Sequence, residues 1–398
     1  MKKNQALQGL AAYGPPPRRV RPWLMVAAVL LVLAAGAGSW YAAGRGSPSA
    51  SVSRHSDGGP RPARPFTVAA TSPAGGATGV ASDTPITVRF SAPLPKVLGA
   101  DAPVPTLDPP VAGSWRRSNR FTLELRPSAS FIPSTTETLN IPGGPAGVRS
   151  AAGKALGSTD TVSFTIALGS EERLQQLLAL TGYIPLTFTP SGPARTPAQA
   201  AMPQAGTFDW RWPGLPGSLT SLWVEGESSA ITEGAVMTLE SQSGLAVDAT
   251  AGPKVWVLLL DDVAKGVTNQ APSTYVDVSK VLPESLTLWV NGVPKFQDIP
   301  VNTGAPGADT TAGTYEVFEH VTASEMKGTN PDGTTYDDPN VPWASYFSGG
   351  DALHGFVRAA YGSPQSNGCV EMSVANAGAT WPFTPIGTLV TVEGPTVG

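Results

Sequence analysis

Cysteine is nearly absent from this chain: Cys369 is the only one in 398 residues. A lone thiol excludes an internal disulfide. In an oxidising compartment an unpaired thiol needs another reason to be present. Charge is also sparse. Only 14% of residues are charged, the formal net charge is −4, and no basic block occurs beyond the N-terminus. That balance argues against nucleic-acid binding. What the chain has in abundance is glycine (44) and proline (40), with 41% hydrophobic residues. The mixture fits two or three turn-rich β domains with real cores, joined by linkers, rather than a helical bundle.

Residues 23–44 carry no charge and are long enough to cross a bilayer as a helix. Lys2, Lys3, Arg18, Arg19 and Arg21 precede this run, and Trp23, Trp40 and Tyr41 sit at its ends. The basic cluster predicts residues 1–22 in the cytoplasm and the C-terminal bulk exported to the outer side. The competing reading is a signal peptide cut near Ala42-Ala43-Gly44. Residues 45–65, rich in Ser, Gly, Pro and Arg, read as a flexible tether in which His55 is a solvated bystander.

Residues 66–168 show short alternating runs, among them Pro85–Phe90, Phe121–Leu125 and Thr161–Ile166, separated by glycine turns. This spacing predicts a β-sandwich. The stretch from Ser72-Pro73 through Gly79-Val80 to Phe90-Ser91 resembles bacterial immunoglobulin-like modules, which implies a spacer or docking role. Over 171–265 the character changes. Leu174, Leu177 and Leu178 fall at helical spacing ending at Gly182, and Gly244-Leu245-Ala246-Val247-Asp248 leads to Gly252-Pro253-Lys254-Val255-Trp256. This resembles the small helical peptidoglycan-binding domain, with Ala249 where that family has a turn glycine. A long insertion carries Trp210, Trp212 and Trp223, and large aromatics of this kind usually pack inward.

From 275 to 394 strand signals return: Tyr275–Val278, Ser285–Val290 ending at the hairpin turn Asn291-Gly292, Phe296–Val301, and Tyr315–Val321 as one strand containing His320. Residues 327–341 read as a polar loop. Its Asp332, Asp337 and Asp338 lack calcium-loop spacing, so neither a metal nor any cofactor is expected.

The chemistry-bearing pattern is Leu353-His354-Gly355 followed by Ser366-Asn367-Gly368-Cys369-Val370-Glu371-Met372. Histidine beside a thiol is a general base beside a nucleophile. Ser366, Asn367 and Gly368 would form a tight turn, and the N–H groups of Asn367, Gly368 and Cys369 would converge on an oxyanion. With Val301–Gly304, Thr311–Tyr315, Trp343–Gly350 and Pro385–Val392, this pattern resembles the catalytic domain of L,D-transpeptidases. The chain as a whole is thus expected to be mainly β: a transmembrane helix, an immunoglobulin-like sandwich, a small helical wall-binding-like domain and a β-rich catalytic domain. The resemblance implies Cys369 as nucleophile, His354 as proton donor and acceptor, and Gly355, Arg358, Tyr346 and Trp343 as substrate-binding residues. It implies peptidoglycan stem peptides as substrate, 3→3 cross-links as product and carbapenems as inhibitors. Hydrolysis by water, or a catalytically dead wall-binding protein, are the alternatives. Two positions depart from the family: Asn367 stands where histidine is common, and Glu371 where arginine is common. Arg358 is the expected substitute for that arginine.

Overall fold

The computed structural model describes residues 64–99 and 101–394. The span 23–44, the cytoplasmic tail, His55 and nearly all of the tether lie outside the described residues. Among the described residues no helix is long and apolar enough to cross a membrane.

The first module has seven strands: β1 (Val68–Ser72), β2 (Ile86–Phe90), β3 (Thr106–Asp108), β4 (Gly113–Asn119), β5 (Thr122–Pro127), β6 (Thr136–Ile141) and β7 (Asp160–Thr165). They form two sheets, β1-β2-β5-β4 and β3-β6-β7. Alternation drives the packing. Ile86, Val88 and Phe90 point into the core, where Leu123, Leu139, Phe131 and Phe164 meet them.

The second module is mostly helical: α1 (Glu171–Leu180), β8 (Leu186–Pro190), β9 (Gly206–Trp210), α2 (Gly217–Thr220), α3 (Ala230–Gln242) and α4 (Pro253–Lys265). Ser170 Oγ accepts the N–H of Arg173 at the start of α1, and Gly182 turns left-handed (φ +77°) just past its end. Leu177 and Leu178 are fully buried, as their spacing predicts. Pro253 opens α4, and Gly266 closes it at φ +67°. The connection between α3 and α4 holds Ala249 at φ +58°, a conformation glycine adopts more cheaply. Glu240 Oε2 stabilises this turn by accepting the N–H groups of Asp248 and Ala249. The long insertion is the β8–β9 hairpin plus α2. Trp210 and Trp223 pack on the helical core, while Trp212 lies against Gly292.

The third module holds β10 (Thr274–Ser279), β11 (Ser285–Val290), β12 (Val293–Pro300), β13 (Gly313–Glu316), β14 (Glu319–Thr329), β15 (Thr335–Ser348), β16 (Asp351–Gly355), β17 (Val370–Met372), α5 (Val374–Thr380) and β18 (Leu389–Glu393). Its sheets are β12-β11-β10-β18-β13 and β14-β15-β16-β17. Asn291 (φ +50°) and Gly292 (φ +74°) form the expected two-residue hairpin turn. Between the sheets lies a core of Val276, Leu288, Val301, Val317, Leu353, Val370 and Val390.

Two expectations fail here. Tyr315–Val321 is not one strand: β13 pairs with β18 in one sheet and β14 with β15 in the other, with the buried Val317 at the crossover. Residues 327–341 are not a loop either. They are the facing ends of β14 and β15, closed by a turn at Asn330–Thr334.

The second and third modules share a core. Tyr275 and Leu389 of the five-stranded sheet are buried among Leu239, Trp256 and Leu259. Gly234 on α3 approaches Gly387 so closely that a Cβ there would lie 2.6 Å from the Gly387 carbonyl. Thr238 Oγ1 donates to Ile386 O (3.3 Å) across the same contact.

Candidate active site

Cys369 immediately precedes β17, and His354 lies in β16. The two strands run parallel with Leu353 opposite Val370 and His354 opposite Glu371. Alternation along each strand therefore puts the side chains of Cys369 and His354 on one face, as diagonal neighbours. His354 Nδ1 lies 3.1 Å from the Gly355 carbonyl. A carbonyl only accepts, so Nδ1 carries the proton and Nε2 keeps its lone pair. His354 is 3% exposed, and burial pulls its pKa below 6.5. The ring is neutral at pH 7.

The thiol is also neutral. Cys369 keeps some contact with solvent, but the atoms packed around it push its pKa up to about 12, against the help of the Ala352 N–H, with the charges of Asp351 and Glu371 adding to the rise. Sγ donates to Gly350 O at 3.7 Å, and no hydrogen bond joins it to the imidazole in this arrangement. The β15–β16 turn thus wraps the sulfur with a carbonyl on one side and the Ala352 N–H on another.

The loop before the sulfur is tightly sewn. Ser366 N donates to Thr303 O, and Ala305 N donates to Ser366 O. Ser366 Oγ donates to Cys369 O (2.6 Å) and accepts the N–H of Gly368 (3.2 Å). Gly368 N–H is therefore turned inward, and this departs from the expected set of three oxyanion donors. Gly368 itself has φ +111°, and a Cβ on it would lie 2.3 Å from Asp351 Oδ1. Only glycine suits both demands.

Asn367 Nδ2 donates to Asn330 Oδ1 (2.6 Å), at the turn of the β14–β15 hairpin. The hairpin also brings Tyr336 and Tyr346 near the sulfur. Burial raises both phenols, and the charge of a Cys369 thiolate would raise them further. Tyr346 OH is hydrogen-bonded to Ser324 Oγ (2.7 Å).

Other expected substrate contacts are otherwise engaged. Arg358 grips Glu371 with two bonds, Nε to Oε2 (2.8 Å) and Nη2 to Oε1 (2.7 Å), and Nη2 also reaches Gln365 O. The Glu371 carboxylate, 6% exposed, spends this cation internally. Trp343 packs against Trp381 and lies beneath Gly378 of α5. Gly355 is buried where a Cβ would crowd Val374 and Ala377 of α5. His320, stacked on Trp381 and hydrogen-bonded to Ser345, is a packed strand residue. Among the described residues no group of three or more His, Cys, Asp or Glu is placed to hold a metal ion.

Residues that sequence reasoning missed include Asp351, Tyr336, Asn330 and Thr310. Burial, aided by Asp309, pushes the Asp351 carboxyl up to about 6. Thr310 directly precedes the Thr311–Tyr315 run that carries part of the family resemblance, and that adjacency is its signal in the sequence.

Comparison with known proteins follows this division. Residues 62–166 match the family profile of the bacterial Ig-like domain, and residues 273–392 match that of the L,D-transpeptidase catalytic domain. Neither match covers the helical module, and no peptidoglycan-binding domain is shown there. No curated protein matches the chain. Among solved structures, similar ones include an L,D-transpeptidase from Mycobacterium smegmatis (15% identity, 83% of this chain, 100% of that one, TM-score 0.28). Another is L,D-transpeptidase 3 from Mycobacterium tuberculosis in complex with a faropenem-derived adduct (15%, 82% and 98%, TM-score 0.28). A third is the catalytic domain of an E. faecium L,D-transpeptidase acylated by ertapenem (23%, 31% and 100%, TM-score 0.28).

Proposed function

We propose that this protein is a peptidoglycan L,D-transpeptidase that forms 3→3 cross-links through an acyl-enzyme on Cys369. The observation that supports this most is the placement of Cys369 and His354 on one face of adjoining parallel strands, inside the segment 273–392. His354 Nε2 takes the thiol proton once Sγ turns away from Gly350 O. Sulfur then attacks the donor stem's peptide carbonyl, between its L-centre and terminal D-residue, and a C–S bond forms. The carbonyl electrons move to oxygen, where backbone N–H groups stabilise them. When they return, the C–N bond breaks and His354 gives its proton to the departing amine. The side-chain amine of a second stem then attacks the thioester, and sulfur leaves and is reprotonated through His354.

Tyr346 and Tyr336 are assigned to lining the donor's approach, a reading supported by the nearness of both phenols to the sulfur. Arg358 is assigned to holding Glu371 rather than a substrate carboxylate. The helical module at 171–265 is assigned to wall docking, and 23–44 to a single membrane anchor with the N-terminus in the cytoplasm. Inhibition by carbapenems follows from the same acylation chemistry.

The test is mass spectrometry of muropeptides incubated with the full-length protein. Appearance of 3→3 dimers supports transfer; tripeptides alone point to an L,D-carboxypeptidase. A carbapenem that adds mass to the wild type but not to Cys369→Ala places the acyl group, while an unlabelled wild type refutes the acyl-enzyme.

A further inference from the structure

The Gly368–Cys369 peptide carries a group the reaction needs. Among the described residues its N–H, on Cys369, has no hydrogen-bond acceptor, whereas the N–H of Gly368 is spent on Ser366 Oγ. Its carbonyl, on Gly368, accepts a short hydrogen bond from Thr310 Oγ1 (2.7 Å). A peptide unit is planar and trans, so its C=O and N–H point in opposite directions. Whatever fixes the carbonyl therefore aims the N–H.

Thr310 is built to do this. Its side chain is fully buried. Its Oγ1 accepts the N–H of Gly304 at 2.8 Å. With that lone pair occupied, the hydroxyl proton is directed to the Gly368 carbonyl. The backbone of Thr310 is held in turn. Its carbonyl accepts from Lys280 Nζ (2.9 Å), whose buried ammonium is also gripped by both oxygens of Asp309 (3.1 Å each). Gly304 permits the close turn, since a Cβ there would lie 2.0 Å from Ala308 O.

We propose that Thr310 is a positioning residue for acyl transfer, whose hydroxyl locks the Gly368–Cys369 peptide so that the Cys369 N–H faces the oxyanion formed at the attacked carbonyl. The inference rests on the acyl-transfer reading and assigns that reading's oxyanion donor. When sulfur bonds to the carbonyl carbon, the displaced electron pair resides on oxygen, and the preset N–H meets it without reorganisation.

The distinguishing test compares two reactions of the same sulfur. Acylation by a carbapenem passes through a tetrahedral oxyanion. Alkylation by iodoacetamide is a direct displacement and forms none. In full-length Thr310→Val, which keeps the shape and removes the hydroxyl, the acylation rate is expected to fall about 10- to 100-fold, less than the roughly 100- to 1000-fold for outright loss of an oxyanion donor, because the N–H is misaimed and not removed. The alkylation rate is expected to stay within about twofold of wild type, and Thr310→Ser is expected to restore acylation. A Thr310→Val protein in which both rates fall together, or neither falls, overturns the inference. If Thr310→Val does not fold, Thr310→Ser against Thr310→Ala supplies the same ratio. A wild type that is alkylated but never acylated overturns the acyl-transfer reading itself, a result separable from the first.

Discussion

A thiol and an imidazole can rest as an ion pair or as two neutral groups, and the structure predicts the second. Raising the pH is the perturbation that separates them. Desolvation takes Cys369 from an ordinary 9.0 to about 12, so forming the thiolate is harder by about 4 kcal/mol. At pH 7.5 the thiolate fraction is then about one in 30,000, against about 3% for an ordinary thiol. A more basic thiolate is also a better nucleophile, which recovers part of the difference. With a Brønsted slope of about 0.45, the net loss in alkylation rate is on the order of 50-fold. His354 shifts the opposite way, below 6.5, so it supplies no resting positive charge to hold a thiolate. The assay is intact-mass measurement of iodoacetamide addition to Cys369 between pH 6 and 10.5. The rate should climb about tenfold per pH unit with no plateau below pH 10. A plateau below pH 8 would show a preformed thiolate–imidazolium pair and refute the reasoning.

Three further outcomes are expected. Burial, with Glu233 nearby, pushes the Glu316 carboxyl from 4.5 to about 7. The folded state binds this proton more tightly, so the stabilisation is present below about pH 4.5 and is lost as pH rises through about 7, amounting to at most about 3 kcal/mol. Urea midpoints at pH 5 and 8 should show that slope, and Glu316→Gln should flatten it. Gly368→Ala forces an L-residue to φ +111° against Asp351, a strain on the order of 1–3 kcal/mol, and should lower both the urea midpoint and the acylation rate. Arg358→Met strands the buried Glu371 carboxylate and should destabilise by about 3 kcal/mol, most of it recovered in Arg358→Met/Glu371→Met; a double-mutant cycle with no coupling would contradict this.

Much of the fold was legible because its signals are local. Ile86, Val88 and Phe90 alternate, Asn291-Gly292 turns a hairpin, and Gly252-Pro253 opens a helix, each within a few residues. The hairpin arms at 327–329 and 335–341 were illegible for a physical reason. Their alternation runs among Thr, Tyr and Asp with no apolar face, so only cross-strand pairing reveals the strands. The break at Val317 hides likewise, because alternation continues across it while the partner strand changes. At the site, His354 and Cys369 were visible as a spaced pair. Thr310 and Asp351 were not, because they reach the nucleophile loop only through folding, across 58 residues in one case and against a glycine in the other. The Arg358–Glu371 pair shows a related limit: a sequence displays two opposite charges but not that each satisfies the other.

The burial of Tyr275 and Leu389 among helical leucines has a practical corollary. The five-stranded sheet, which packs behind the sheet bearing His354 and Cys369, has no water-compatible back of its own. Cut free at its first strand, it would bare an aromatic and aliphatic plate to solvent and tend to self-associate. The helices behind it are therefore as much the enzyme's skin as its neighbour, and activity comparisons are best made on a chain that keeps them.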